Sequence, residues 1–224
     1  AFWQRELAAL GVTVARLRLP AGMAEPQGRQ LLRDRFPGLV ADYNDLYQSQ
    51  GGLSLSAPDY PRRLIGWGVP AASCGTGRTI GMIDTAVADR LPALDPQHIR
   101  QRSFIPPGTT PADPAHGTAV AAILAGRPMR EGSGLLPGVG LRVARIFSRD
   151  GSGHDAADAL SFAAALDWLA AERVPVVNLS LAGHDNLLIA LAVQRASAQG
   201  MLLVAAAGNG GPAADPAYPA AYPT

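Results

Sequence analysis

The chain predicts an α/β fold, a parallel sheet with helices on both faces, preceded by a small α+β unit. Three observations carry that prediction. From Arg63 onward, short continuous apolar runs alternate with helix-length stretches, and uninterrupted apolar strands mark a sheet buried on both faces. Residues 48–62 (QSQGGLSLSAPDYPR) are rich in Gly, Ser and Pro and read as a connector. The first 47 residues show polar–apolar alternation instead. The expected divisions are therefore 1–47, 48–62 and 63–224.

Taken in order, Phe2–Leu10 reads as a short amphipathic helix and Val12–Leu19 (VTVARLRL) as a half-buried strand. Pro26–Phe36 suits a helix with Leu31, Leu32 and Phe36 on one face, stopped by Pro37-Gly38. Leu39–Tyr47 (LVADYNDLY) alternates again and reads as a strand. Two strands and two helices are few for an independent core, so this unit is expected to lean on its neighbour. Beyond the connector, strands are expected at Thr79–Ile83, Arg142–Ile146, Val174–Leu179 and Met201–Ala206. Helices are expected at His116–Ala125, Ala156–Glu172 and Leu187–Gln199.

Composition narrows the functional classes. Of the 224 residues 48% are hydrophobic and 17% charged, and the net charge is +1. That balance gives no electrostatic reason to expect nucleic acid or an anionic membrane. All 19 basic residues are arginine, which excludes a P-loop lysine, a Schiff-base lysine or a Ser-Lys dyad within the chain. The single cysteine, Cys74, allows neither an internal disulfide nor a multi-cysteine metal site. No apolar run approaches the ~20 residues that span a bilayer. The G-x-G of GTGRTIG precedes a strand rather than following one, so a Rossmann-like nucleotide module is disfavoured.

Three residues have matching chemistry. Asp84 closes the strand TIGMID, His116 opens the helix HGTAVAAILAG behind Asp113-Pro114, and Asn209 follows the strand MLLVAA. Groups at the carboxyl ends of parallel strands share one edge of a sheet. A carboxylate can orient an imidazole, the imidazole can take a proton from a hydroxyl, and a carboxamide can donate to an oxyanion. These are three parts of an acyl-transfer site.

In these residues the chain resembles the subtilisin family of serine peptidases. Five blocks occur in that family's order: TIGMIDTAV, HGTAVAAILAG, RVARIFSRDGSG, VVNLSLAG, and LLVAAAGNGGP followed by YPAAYP. The resemblance implies that Asp84 orients the imidazole, His116 is the general base and Asn209 the oxyanion donor. It implies that Gly151, Ser152 and Gly153 form one wall of a peptide cleft and Ser180, Leu181 and Ala182 the other. Ala206, Ala207 and Gly208 would line the pocket for the residue before the scissile bond. It further implies a propeptide in the N-terminal unit, hence a zymogen, and a secreted or periplasmic location. No redox or organic cofactor is implied. Many relatives bind calcium, but the loop GRPMREGSGLLPG lacks the Asn-rich insertion that supplies the site, so no metal site is assigned.

Ala86, Ala119 and Ala182 depart from residues common in the family without removing a catalytic atom. A larger departure is the absence of a serine in a Gly-Thr-Ser context. The expectation is therefore a peptidase precursor whose nucleophile lies beyond this chain, the chain alone being inactive. A second polypeptide would supply the serine-bearing part and cover an apolar face. The alternative is a non-catalytic scaffold of the same shape that binds a peptide or protein partner.

Overall fold

The computed structural model describes residues 3–49, 60–129, 132–150, 153–211 and 213–223. The N-terminal unit comprises strands β1 (Trp3–Leu7) and β2 (Val12–Arg16), helix α1 (Glu25–Arg35) and strand β3 (Leu46–Ser49). After the short helix α2 (Tyr60–Leu64) come β4 (Thr79–Asp84), β5 (Ile99–Ser103), α3 (Ala115–Ala125) and β6 (Gly140–Arg145). Two short strands, β7 (Ser148–Arg149) and β8 (Asp155–Asp158), lead into α4 (Ala159–Ala171). The chain continues through β9 (Val176–Leu179), β10 (Leu181–Ala182), α5 (Leu187–Ala198) and β11 (Leu202–Ala205).

The main sheet has the order β11-β9-β4-β6-β5, with every pair parallel. Its two faces make separate cores. Ile83, Val177 and Leu179 pack with Phe162 and Leu166 of α4 and Ile189 of α5. Met82, Leu141 and Val143 pack with Ala121 and Ala125 of α3. Neighbouring residues of one strand thus point into opposite cores, and both Met82 and Ile83 are fully buried. That is why the strand reads as a continuous apolar run. Each such side chain contributes about 1.5–3 kcal/mol of burial.

Of the segment Phe2–Leu10, expected as a helix, Phe2 lies outside the described residues and Trp3–Leu7 is instead the first strand of a hairpin, in register from Trp3↔Arg16 to Leu7↔Val12. Tertiary contact overrides the local pattern. Leu7 and Leu10 are buried in the α4–α5 core, and the turn amides of Ala9 and Leu10 donate to Asp167 Oδ1 of α4 at 2.8 and 3.1 Å. The expected strand over Leu39–Tyr47 is mostly not one, since only Leu46 and Tyr47 enter β3. The polar side chains ahead of them close helix ends instead. Asp42 Oδ2 accepts from Leu187 N at the start of α5 (2.9 Å), and Asn44 Oδ1 from Leu160 N in the first turn of α4 (3.0 Å). The helix expected from Ala156 begins at Ala159, because Asp155–Asp158 pair as β8 and Asp158 Oδ1 caps Ser161 N (2.7 Å). The edge strand β5 (IRQRS) went unread because its composition is polar.

Strand β3 belongs to a second sheet of order β10-β3-β8-β7, antiparallel to both of its neighbours. The N-terminal unit is thereby stitched into the body of the protein.

Burial pushes the Asp42 carboxyl up, but the Leu187 amide, the Arg29 guanidinium and the Tyr43 amide together hold it below its ordinary value. A carboxyl lowered on folding stabilises above its unfolded pKa, and that stability disappears as pH falls through the folded value. We therefore expect Asp42→Ala to lower stability by about 1 kcal/mol near neutrality. The gap from wild type should close below the ordinary carboxylate range. Urea midpoints measured against pH check this, and a gap independent of pH would contradict it.

Candidate active site

Asp84 is the last residue of β4, at the carboxyl edge of the sheet, and is fully buried. Its Oδ1 accepts from its neighbour's amide, Thr85 N, at 2.6 Å and lies 2.7 Å from His116 Nδ1. An ionised carboxylate only accepts, so Nδ1 carries the proton of this contact and Nε2 is the basic nitrogen of the neutral ring. The His116 side chain is 14% exposed. Among the described residues Asp84 Oδ2 has no hydrogen-bond partner, so the carboxylate is held through Oδ1 alone.

His116 sits in the first turn of α3. Asp113 Oδ1 accepts from Ala115 N (2.8 Å), the first amide of α3, while Pro114 holds the N-cap position. The loop after β4 is tied to this turn. Gly117 N donates to Thr85 Oγ1 (2.9 Å) and Ala88 N to Thr118 Oγ1 (2.8 Å). Gln101 of β5 holds the same loop through both Val87 N and Val87 O. Gly117 permits the approach, for a Cβ there would lie 2.7 Å from the carbonyl oxygens of Thr85 and Ala86. Thr85, Gly117, Thr118 and Gln101 escaped the sequence reading, although a glycine directly after the histidine in a helical run was a visible signal.

Ala206, Ala207, Gly208 and Asn209 follow β11 past the same edge. Ala206 N donates to Leu179 O (3.1 Å), and Gly208 takes a φ of 88°. In the order β11-β9-β4 the end of β11 stands two strand spacings, about 10 Å, from the end of β4. The Asn209 side chain is exposed and makes no hydrogen bond with the described residues. Ser180 is buried, with Oγ accepting from Asn178 Nδ2 at 2.6 Å. The Ser161 hydroxyl donates to Phe104 O (2.9 Å) and that of Ser133 to Gly134 O (3.1 Å).

Leu181 and Ala182 form β10, and what pairs with them is the chain's own β3, in register Leu181↔Ser49 and Ala182↔Gln48. On the other side Tyr47 and Gln48 pair with Ala157 and Ala156 of β8. Gly153 stands in the turn before β8, its amide donating to Asp150 O (3.0 Å). Gly151 and Ser152 lie outside the described residues. A strand is thus laid between two others by backbone hydrogen bonds, the geometry of strand addition. Tyr47 is fully buried. Its hydroxyl donates to His184 O (2.7 Å), and a Cβ on Gly183 would lie 2.5 Å from its ring. Among the described residues no group of three or more His, Cys, Asp or Glu is arranged to hold a metal ion. No helix there is long and apolar enough to cross a membrane.

Comparison with known proteins gives this arrangement a context. The chain is 32% identical over 171 residues to Subtilisin BL of Lederbergia lenta, covering 70% of this chain and 60% of that protein. It is 38% identical over 112 residues to Minor extracellular protease Epr of Bacillus subtilis (strain 168), covering 49% of this chain and 17% of that one. The self-cleaved protease domain of PatA superposes with a TM-score of 0.52 at 26% identity, over 67% of this chain and 56% of that structure. The chain therefore spans 60% or less of the length of each of these relatives. Residues 75–224, well over half of the chain, match the family model described as the subtilase family. With an acid-bearing parallel strand joined to a histidine-bearing helix inside that matched stretch, the chain belongs to the subtilase family.

Proposed function

We propose that the intact protein is a serine endopeptidase made as a precursor, with the N-terminal unit as part of an inhibitory propeptide. The observation that carries this reading is the Asp84–His116 hydrogen bond at 2.7 Å, on a fold whose peptide-pairing strand β10 already holds an extended segment. In the reaction His116 Nε2 takes the proton of a serine hydroxyl as its oxygen attacks the scissile carbonyl. Asp84 stabilises the imidazolium that forms. The Asn209 carboxamide donates to the oxyanion of the tetrahedral intermediate. As the C–N bond breaks, the imidazolium returns the proton to the leaving amine. A water molecule, deprotonated by the same ring, then releases the acyl group.

The serine is assigned to a further segment or a second polypeptide, and the sheet supports that assignment. Val204 pairs with Asn178, which pairs with Met82 on the α3 side. On that side Leu202 and Val204 are 60% and 52% exposed. An element covering them would lie beside α3, with one end at the edge where His116 stands. Peptides are the substrate class. The relatives' names, one an extracellular protease and another a self-cleaved domain, support export and self-processing.

Fluorophosphonate labelling of the intact gene product is the direct test, because it needs an activated serine. Labelling that disappears in His116→Ala is the expected result. No labelling alongside retained peptide binding would make the protein a binding scaffold instead. In the intact enzyme Asp84→Asn should lower kcat by about 10⁴ through the wrong imidazole tautomer. Asn209→Ala should cost about 10²–10³, the loss found when such a donor is removed from a subtilisin. Gly117→Ala should push the start of α3 away from the β4 loop and reduce kcat/KM roughly 10²-fold. Circular dichroism should show the helices retained. Wild-type kinetics in that variant would show that the close approach does not position His116.

A further inference from the structure

Arg145 is the last residue of β6 and stands directly opposite Asp84 in the parallel register of β4 and β6. The two side chains leave the same face of the sheet. Met82, two residues before Asp84, and Val143, two before Arg145, both pack on the α3 side, and side chains two apart in a strand share a face. On its other flank Arg145 has the neutral Ser103 of β5. Its Nε is buried and finds no hydrogen-bond partner among the described residues, and its guanidinium forms no ion pair with them. Asp84 Oδ2 is likewise buried without a hydrogen-bond partner there. A permanent cation and a buried carboxylate therefore stand on adjacent strands, each with an unused polar atom, at the edge where His116 is held. Such groups are costly to bury, and they collect where a site uses the charge.

We propose that Arg145 is a positioning residue of the acid–imidazole pair, acting through Asp84: its fixed charge tempers the carboxylate and so sets the pH at which His116 becomes a free base. This inference rests on the peptidase reading above. No contact is required, because a partly buried charge acts across a gap with little screening. From the neighbouring strand the guanidinium lies about 10 Å from the ring. At an effective dielectric of about 20, a unit charge at that separation is worth about one pH unit. A cation disfavours imidazolium, so Arg145 keeps the ring neutral, and able to take the serine proton, further into the acid range. The other charges around the pair do not duplicate it. Asp113 precedes the helix of His116 and is exposed, as are Asp89 and Arg90 farther along the β4 loop. Arg127 pairs with Asp95 at the far end of α3, and Arg149 with Asp155 across β7 and β8. Asp150 and His154 share the turn before β8. Arg100 and Arg142 reach Glu172 on the opposite face of the sheet, and Arg102 lies over Phe104.

The test follows the rate of fluorophosphonate labelling of the intact gene product against pH, which reports the free base without a known substrate. Arg145→Met removes the charge and keeps most of the stem. Its acid-side midpoint should rise by about one pH unit relative to wild type. Arg145→Lys, which keeps the charge, should leave the midpoint in place. A residue that only fills space would lower labelling at every pH without moving the midpoint, so coincident midpoints for wild type and a folded Arg145→Met overturn the proposal. Arg145→Gln repeats the measurement if the methionine variant does not fold by circular dichroism. Labelling lost in a folded Arg145→Lys overturns the proposal as well, since the charge is still present. No labelling of the wild-type protein at any pH overturns the peptidase reading and this inference with it.

Discussion

The hydrogen bond between Asp84 Oδ1 and His116 Nδ1 joins a strand tip to a helix 32 residues away, and much of the surrounding structure serves to keep that bond short. The carboxylate cannot move, because it ends a central strand with parallel neighbours on both sides. The ring cannot swing, because its helix is fastened to the loop that leaves the strand by Gly117 N on Thr85 Oγ1 and Thr118 Oγ1 on Ala88 N. The loop in turn is held by Gln101 from the edge strand β5. Rotamer freedom has been removed at each end of the contact, which is what preorganisation means in structural terms.

The parallel sheet and the residues on its edge were legible in the sequence because both depend on local pattern. TIGMID is apolar at every position that meets a core and acidic at the one that leaves it. The His116 helix is announced by Asp113-Pro114. The N-terminal unit was legible only in part. Its helix at Glu25–Arg35 and its second strand follow their periodicity, but WQREL gives no local sign of being a strand until it is paired. NDLYQ does not declare that Asn44 and Asp45 serve helices more than a hundred residues on. Asn186, directly ahead of the run LLIALA, carried a readable N-cap signal. Its second face, toward Asp45, is purely a matter of tertiary arrangement.

The N-terminal unit and the body share their helix ends. In α4 and α5 several of the first amides are closed by side chains or carbonyls of residues 42–45: Leu187 N by Asp42, Leu160 N by Asn44 and Ala159 N by Asp45 O. A helix leaves four amides unsatisfied at its start, and here much of that deficit is met from outside the helix's own neighbourhood. Leu7, Leu10 and Val14 add apolar contact on the same helices. Order in the unit and order at the starts of these two helices are therefore coupled, each lowering the entropy that the other must lose.

Strand β11 ends the main sheet at one side, with the outer row of its backbone groups facing no described strand and Leu202 and Val204 open to water. Such a margin is a template: it offers another polypeptide a ladder and a greasy surface at once. If the further segment or polypeptide proposed above seals this margin, it has to arrive before chance encounters between neighbouring molecules do. The order of those two events would then decide between a closed sheet and a precipitate.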